Sequence, residues 1–365
     1  MDFSLTEAQR DLAELTRRIV HDRVTPESLG EHGSGGFDRA LWTELGKAGI
    51  IDAALPNSVG GGGFGLLEQC AVLIELGRAV APVPYLPTVT LAASALAEFG
   101  RGEQLERWVV PAVRGERVLT AALPDTGAPC GFTGERAGTG WRLSGAQTAV
   151  PFGAFADGFL VPAATADGIA VFLVAADAPG VAVSAQRTVD HADAALVELA
   201  AVEAGPDAVL GEPGAGVDEW LRLRGTVGLC ALQLGVLERA LHATAEYAKE
   251  RKQFDHVLAG FQAVRQRLAD GYTDVEAVRL TLWQAAWRLA EGLPGAEEVA
   301  TAKFWAAEAG HRVAHSAVHI HGGVGIDTDY PLHRYFVAAK RHEFTFGGAT
   351  AQLRSLGSLL AAEPA

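Results

Sequence analysis

"YAKERKQFDHVLAGFQ", residues 247–262, ends a long apolar, Ala-rich helical pattern in a cluster of charge. Arg251 and Lys252 stand at the end of that pattern, Phe254 follows, and Gln262 comes eleven residues after Arg251. A guanidinium grips a pyrophosphate through two parallel hydrogen bonds, and a phenyl ring packs on an adenine. A basic helix end that only offsets the helix dipole would show the same charges. Taken alone, the stretch leaves both readings open.

A second stretch, "HIHGGVGIDTDYPLHRY" at 319–335, narrows the choice. Gly322 and Gly323 carry no side chain, so backbone N–H groups there come close to a ligand, with His319, Ile320 and His321 beside them. A helix C-cap and turn before Pro331 fits the same residues. His311, His315 and His319 recur at helical spacing on one face, but no carboxylate completes a metal-ligand signature, so no metal site is assigned. No G-x-G-x-x-G follows a strand, and there is no Walker A and no G-x-S-x-G. Gly60–Gly63 is a glycine run without the strand–helix frame that phosphate binding requires.

Outward from these motifs the chain falls into three parts: 1–116, 117–212 and 213–365. The first reads as helices, with Ser4-x-x-Glu7 as a capping box and Leu12, Leu15, Ile19 and Val20 at helical spacing. Gly60–Gly63 reads as a flexible break between two further helices. The second part holds short β-branched runs, "WRLSGAQTAV", "GFLVPAA", "GIAVFLVAAD" and "GVAVSAQ", separated by Gly, Pro and Asp. These predict an antiparallel sheet or barrel. In the third, the periodicity predicts helices over 217–250, 261–291, 296–320 and 332–360. The order α–β–α suggests one integrated α+β architecture.

Bulk properties exclude several classes. The 365 residues are 49% hydrophobic and 20% charged, a globular composition with length for two or three domains. A formal net charge of −14 opposes nucleic-acid binding, since the phosphate backbone would be repelled. Cys70, Cys130 and Cys230 are odd in number and far apart, which points to buried thiols in a reducing compartment. No apolar run is long enough to span a bilayer, and the start "MDFSLTEAQRDL" lacks the apolar core of a signal peptide. The expected location is cytoplasmic.

Together the R-x-Q-F…F-Q element, the H-G-G-x-G element, "DFSLTEAQRDLAELTRRIV" and "LWTELGKAGIIDAALPNSVGGGGFGLLEQCAVLIELGRAVAPVPY" resemble the flavin-dependent acyl-CoA dehydrogenases over essentially the whole chain. The resemblance implies an N-terminal helical domain, a middle β-barrel domain and a C-terminal four-helix bundle. It also implies FAD as cofactor, an acyl-CoA substrate, electron-transfer flavoprotein or a similar acceptor, and a tetramer built as a dimer of dimers. By the same resemblance Arg251 meets the FAD pyrophosphate, Phe254 packs by the adenine and Gln262 contacts the nucleotide end. His319 stands where the family usually has Gln, and Ile320, His321, Gly322 and Gly323 complete that loop. In the family these elements reach into FAD held mainly by a neighbouring subunit.

The other half of the family site is altered. The family's T-E-P-x-x-G-S-D loop reads "LTAALPDTGAPCGF" here. In the flavin-facing strand, "GAQTAVPFGAFAD", Gln147 replaces a lysine and Pro151 removes a backbone donor. The family reaction needs a carboxylate to take the α-proton while the β-hydride goes to the flavin. Counting from Pro331 puts the usual base position at Phe346, or at Gly347 with one gap. Counting back from Tyr247 and Arg251 puts the minority position at Gly225, beside Arg224 and Thr226. Glu219 and Glu343 are the nearest acids, both displaced, so no residue is assigned as catalytic. Three readings follow. One is a subunit of a heteromeric α2β2 enzyme, resembling the actinobacterial steroid-CoA dehydrogenases, with a homologous partner carrying the Glu. The second is a self-sufficient homotetramer with a displaced base such as Glu343. The third is a flavin monooxygenase of the same fold.

Overall fold

Helix α1 (Glu7–Arg23) starts where Thr6 and Gln9 exchange hydrogen bonds, Thr6 Oγ1 accepting from Gln9 N and Gln9 Oε1 from Thr6 N. The cap is thus Thr6 with Gln9, two residues later than the expected Ser4 with Glu7, and such a cap contributes about 1 kcal/mol. This computed structural model describes residues 4–25, 28 and 36–362. After α1 come α2 (Arg39–Lys47), α3 (Leu66–Ala79) and eight strands: β1 (Leu119–Ala121), β2 (Phe132–Ala137), β3 (Gly140–Pro151), β4 (Gly158–Thr165), β5 (Gly168–Ala175), β6 (Val181–Arg187), β7 (Asp193–Ala204) and β8 (Val209–Leu210). Then follow α4 (Val217–Glu250), a small hairpin of β9 (Lys252–Gln253) and β10 (His256–Val257), α5 (Gln262–Ala290), α6 (Ala296–His321), α7 (Leu332–Phe344) and α8 (Ala349–Ala362). The order is helical, sheet, helical. Among the described residues no helix is long and apolar enough to cross a membrane.

The chain divides into two compact units. One comprises residues 1–26, 70–81 and 226–365. Its helices approach closely because small residues line them: a Cβ on Gly235 of α4 would lie 2.0 Å from Ile74 O, and one on Gly77 of α3 would lie 2.2 Å from Leu232 O. Helix α6 buries Ala302, Ala306, Ala309, Val313 and Ala317, and α5 buries Val275, Val278, Leu282 and Trp283. A chain of ion pairs also crosses this unit, with Glu75 held by Arg17 and Arg78, and Glu238 by Arg78 and Arg279.

The expected helix over 332–360 is two helices, broken at Thr345–Gly348. Phe346 and Gly347 have φ of 57° and 87°, and Gln352 Nε2 donates to the carbonyls of both, at 2.7 and 3.2 Å. Lys303, fully buried, donates to the carbonyls of His342 and Glu343, each at 3.0 Å, and so satisfies the end of α7.

The second unit comprises residues 27–69 and 82–225. Its sheet has the order β6-β7-β3-β2-β4-β5-β8, with β1 parallel to β4. It is mixed: a single parallel bridge joins β2 to β4, while the β3–β7 and β4–β5 ladders are antiparallel. Strand β4 is buried on both faces from Gly158 to Ala163, whereas β6 has no buried residue and reads as an edge. Phe132, Trp141, Phe159 and Phe172 form the core, each side chain contributing roughly 1.5–3 kcal/mol by leaving water. Within Gly60–Gly63, Gly61 and Gly62 run close against the backbone of the preceding turn. A Cβ on Gly61 would meet Leu55 O at 2.2 Å, and one on Gly62 would meet Ala53 O at 2.8 Å.

Candidate functional site

Helix α4 runs 34 residues and delivers Arg251 at its end. The Arg251 N–H donates to Tyr247 O and its carbonyl accepts from Leu258 N, both at 2.8 Å, which fixes the base of the β9–β10 hairpin. Phe254 and Asp255 form the two-residue turn, with φ of 52° and 63°. Such primed turns favour Asn-Gly, so a Phe in left-handed backbone is strained. Phe254 is 84% exposed, so that strain is not offset by burying the ring. Helix α5 opens on exposed Gln262, and its N-cap, Phe261, supplies no side-chain acceptor to the first-turn N–H groups.

Helix α6 ends at His321, with Gly322 turning the chain at φ 67° and ψ −145°. A Cβ on Gly322 or Gly323 would meet nothing within 4 Å, so the backbone there faces open space. His319 is exposed, while Ile320 and His321 are buried. Tyr247 stacks on His321 at 4.2 Å and 20°, and its hydroxyl reaches His321 O at 3.5 Å. Tyr247 lies one turn before Arg251, so this stack ties the arginine end of α4 to the glycine turn. The two motifs of the sequence therefore meet. The side chains of Arg251, Gln262 and His319 make no hydrogen bond among the described residues and remain available to a ligand. Sequence reading missed Tyr247, because its partner is 74 residues away. Burial pushes the His321 imidazole below its ordinary value, opposed by its bond to Ala317 O, so it is neutral at pH 7.

Elsewhere the acids are committed. Glu343 accepts from Lys340 Nζ at 2.5 Å, and its carboxylate lies 3.4 Å from His311 Nδ1. Its side chain is only 12% exposed, and the same Lys340 also reaches His311 Nδ1 at 3.1 Å. Phe346 is buried and Gly347 carries no side chain. Gly225 is buried too; beside it the Arg224 guanidinium sits 3.9 Å from the Trp220 ring, and burial lowers its pKa. Glu219 is taken by Arg222, with bonds of 2.8 and 2.5 Å.

At the end of β3 the backbone is also strained, with Ala149 at φ 57° and Phe152 at φ 52°. Here two backbone donors are consumed internally. The Ala149 N–H donates to Gln186 Oε1 at 2.8 Å and the Phe152 N–H to Asp193 O at 3.2 Å. Pro151 has no N–H, and its carbonyl accepts from Thr120 Oγ1 at 2.7 Å.

Residues 6–116 match the acyl-CoA dehydrogenase N-terminal domain and residues 221–359 the acyl-CoA dehydrogenase C-terminal domain. The chain belongs to the acyl-CoA dehydrogenase family. It is therefore placed among oxidoreductases. It is 52% identical to acyl-CoA dehydrogenase FadE27 of Mycobacterium tuberculosis, with each chain covered completely. Among solved structures, the ChsE4-ChsE5 complex from Mycobacterium tuberculosis contains a chain 53% identical, with a TM-score of 0.96 and full coverage of both chains. A variant of the Tcur3481-Tcur3483 steroid acyl-CoA dehydrogenase contains one 42% identical, with a TM-score of 0.91, covering 97% of this chain and 98% of that one. Each of these two structures is named for two proteins. Butyryl-CoA dehydrogenase from Megasphaera elsdenii is more distant, at 27% identity, with a TM-score of 0.90 over 99% of this chain and all of that one.

Proposed function

We propose that this chain is the non-catalytic subunit of a heteromeric, cytoplasmic acyl-CoA dehydrogenase that introduces an α,β double bond into a steroid side-chain CoA thioester. A homologous partner supplies the carboxylate base and most of the flavin pocket, giving an α2β2 assembly that passes electrons to electron-transfer flavoprotein or a similar acceptor. The observation that carries this reading is an asymmetry of fit. The nucleotide end of FAD fits residues 251–262 and 319–323, where a guanidinium, an exposed ring and an open glycine turn stand ready. The ring end does not fit 147–152, where the Ala149 and Phe152 backbone donors are spent on Gln186 and Asp193 and Pro151 has none. The two-protein complexes of similar chains, one of them a steroid dehydrogenase by name, support the partner and the substrate class.

Within this reading each residue has a limited task. FAD, when bound, accepts the β-hydride. Arg251 neutralises the pyrophosphate and fixes its position through bidentate bonds. Phe254 presents a flat face to the adenine. Gln262 offers an amide to the nucleotide end, beside first-turn N–H groups that no side chain caps. His319, Ile320, His321, Gly322 and Gly323 bring open backbone to the cofactor. Glu343, held by Lys340, is not the base. To test this, the chain is purified with the homologous partner and mixed anaerobically with a steroid side-chain CoA ester or a straight-chain one. Flavin bleaching by the steroid ester, lost when the partner's carboxylate is changed to an amide, is the expected result. Bleaching by this chain alone would overturn the reading.

A further inference from the structure

His321 carries a buried acceptor with nothing bound to it. The residue is 5% exposed; its Nδ1 pairs with Ala317 O at 2.9 Å, and its Nε2 has no hydrogen-bond partner among the described residues. A carbonyl only accepts, so Nδ1 carries the proton and Nε2 is a bare lone pair. Tyr247 of α4 covers one side of the ring, and Tyr330, in the turn before α7, approaches it at 5.5 Å and 51°. The glycine turn closes over the residue, since a Cβ on Gly325 would lie 3.0 Å from His321 Cβ. Leaving such an acceptor unsatisfied costs free energy, so a buried orphan calls for a donor brought by something else.

We infer that His321 Nε2 is a hydrogen-bond acceptor for an amino N–H donor of the bound dinucleotide, and that the site releases the dinucleotide when His321 is protonated. This rests on the FAD reading above and adds an atom, a tautomer and a pH dependence to it. Protonation would turn Nε2 into a donor with no acceptor, and would put a cation where the ring is buried. The groups facing it are the phenols Tyr247 and Tyr330; Arg239 and Glu250 act on Tyr330 with opposite sign, and His319 on its own helix is exposed. No carboxylate hydrogen-bonds the ring among the described residues. Burial lowers the pKa, so affinity is held above the ordinary value of 6.5 and falls with acidification below it.

The test is a fluorescence titration of FAD into the flavin-stripped assembly at about pH 8 and about pH 5.5. Wild type should lose several-fold in affinity at the lower pH, and less than tenfold, because burial holds the pKa below 6.5. His321→Gln keeps a neutral acceptor and should bind within about twofold at both. His321→Phe keeps the stack on Tyr247 but not the acceptor, and should bind about tenfold more weakly at pH 8. Wild-type affinity for His321→Phe at pH 8, or a His321→Gln variant that follows the wild-type fall, overturns the inference. Melting curves without FAD report whether each variant folds; if His321→Phe does not, the His321→Gln comparison decides. Arg251→Ala separates the two readings: if it too binds as wild type, the FAD reading fails, and if it alone weakens binding, only the role of His321 fails.

Discussion

Residues 251–257 and 147–152 both hold non-glycine residues in left-handed backbone, and they put it to opposite uses. In the β9–β10 turn, Phe254 is pushed into solvent, while the nearby side chains of Arg251 and Gln262 make no hydrogen bond among the described residues. At the end of β3, Ala149 and Phe152 turn their N–H groups onto Gln186 and Asp193, and Pro151 offers none. One region is strained and open, the other strained and closed. Strain by itself does not mark a binding site; what matters is whether the strained segment leaves its donors unspent. Under the proposed function, a chain that keeps one region open and closes the other contributes half of a site.

The comparison is most severely tested at the open region. Arg251→Ala should weaken FAD binding in the assembly by about 1.5–3 kcal/mol, or roughly 10- to 150-fold, read by flavin retained on dilution and dialysis. Unchanged retention would remove Arg251 from the site. Phe254→Gly should split two properties. It relieves the left-handed strain and should raise stability by about 0.5–1 kcal/mol, while weakening FAD by about 1–2 kcal/mol through the lost ring. A variant that loses both stability and affinity would show that the ring is structural.

Acid should act on α6 more than on the β-sheet unit. His315 is held below its ordinary value, first by burial and then by His311 and Lys340, and His321 is held down by burial. The folded state therefore takes up these protons less readily than the unfolded chain. Its stability is present above about pH 6.5 and declines as pH falls below it. Melting temperature should drop between pH 7.5 and 5.5, and His315→Gln should shrink the drop. An unchanged drop would place the titration elsewhere.

The smallest effects are expected at the closed region and at the committed acids. Gln147→Ala should leave flavin content within about twofold, because the end of β3 is already closed. Glu343→Gln should leave dehydrogenation in the assembly within a few-fold, whereas loss of a true general base costs about 10²–10⁴-fold. A collapse of that size, with assembly and flavin intact, would make Glu343 the base and return the chain to a self-sufficient enzyme.

Much of the fold was legible because it rests on periodicity. The β-branched runs between 141 and 186 became β3 to β6, and the 3.6-residue rhythm gave α4, α5 and α6 to within a residue or so of their ends. The break at Thr345–Gly348 was missed although Gly347-Gly348 marks it, because the apolar pattern continues on both sides of the left-handed Phe346 and Gly347. The Ser4 cap lost to Thr6 because both offer a hydroxyl and an acid or amide three residues on, and only packing separates them. In the site, Arg251, Gln262 and Gly322-Gly323 announce themselves by type and spacing. The Tyr247–His321 stack and the Lys303 clamp on α7 join distant segments, which no local pattern reports. The Lys340–Glu343 pair was within reach, being three residues apart on one helix.

Half a site per chain is a matter of composition. Native mass spectrometry and flavin absorbance on the chain co-expressed with its homologous partner give subunit and FAD counts together. A yellow α2β2 assembly with about one FAD per two chains is expected, with little or no flavin on this chain alone. A homotetramer of this chain carrying one FAD per chain, and bleaching with an acyl-CoA, would contradict it.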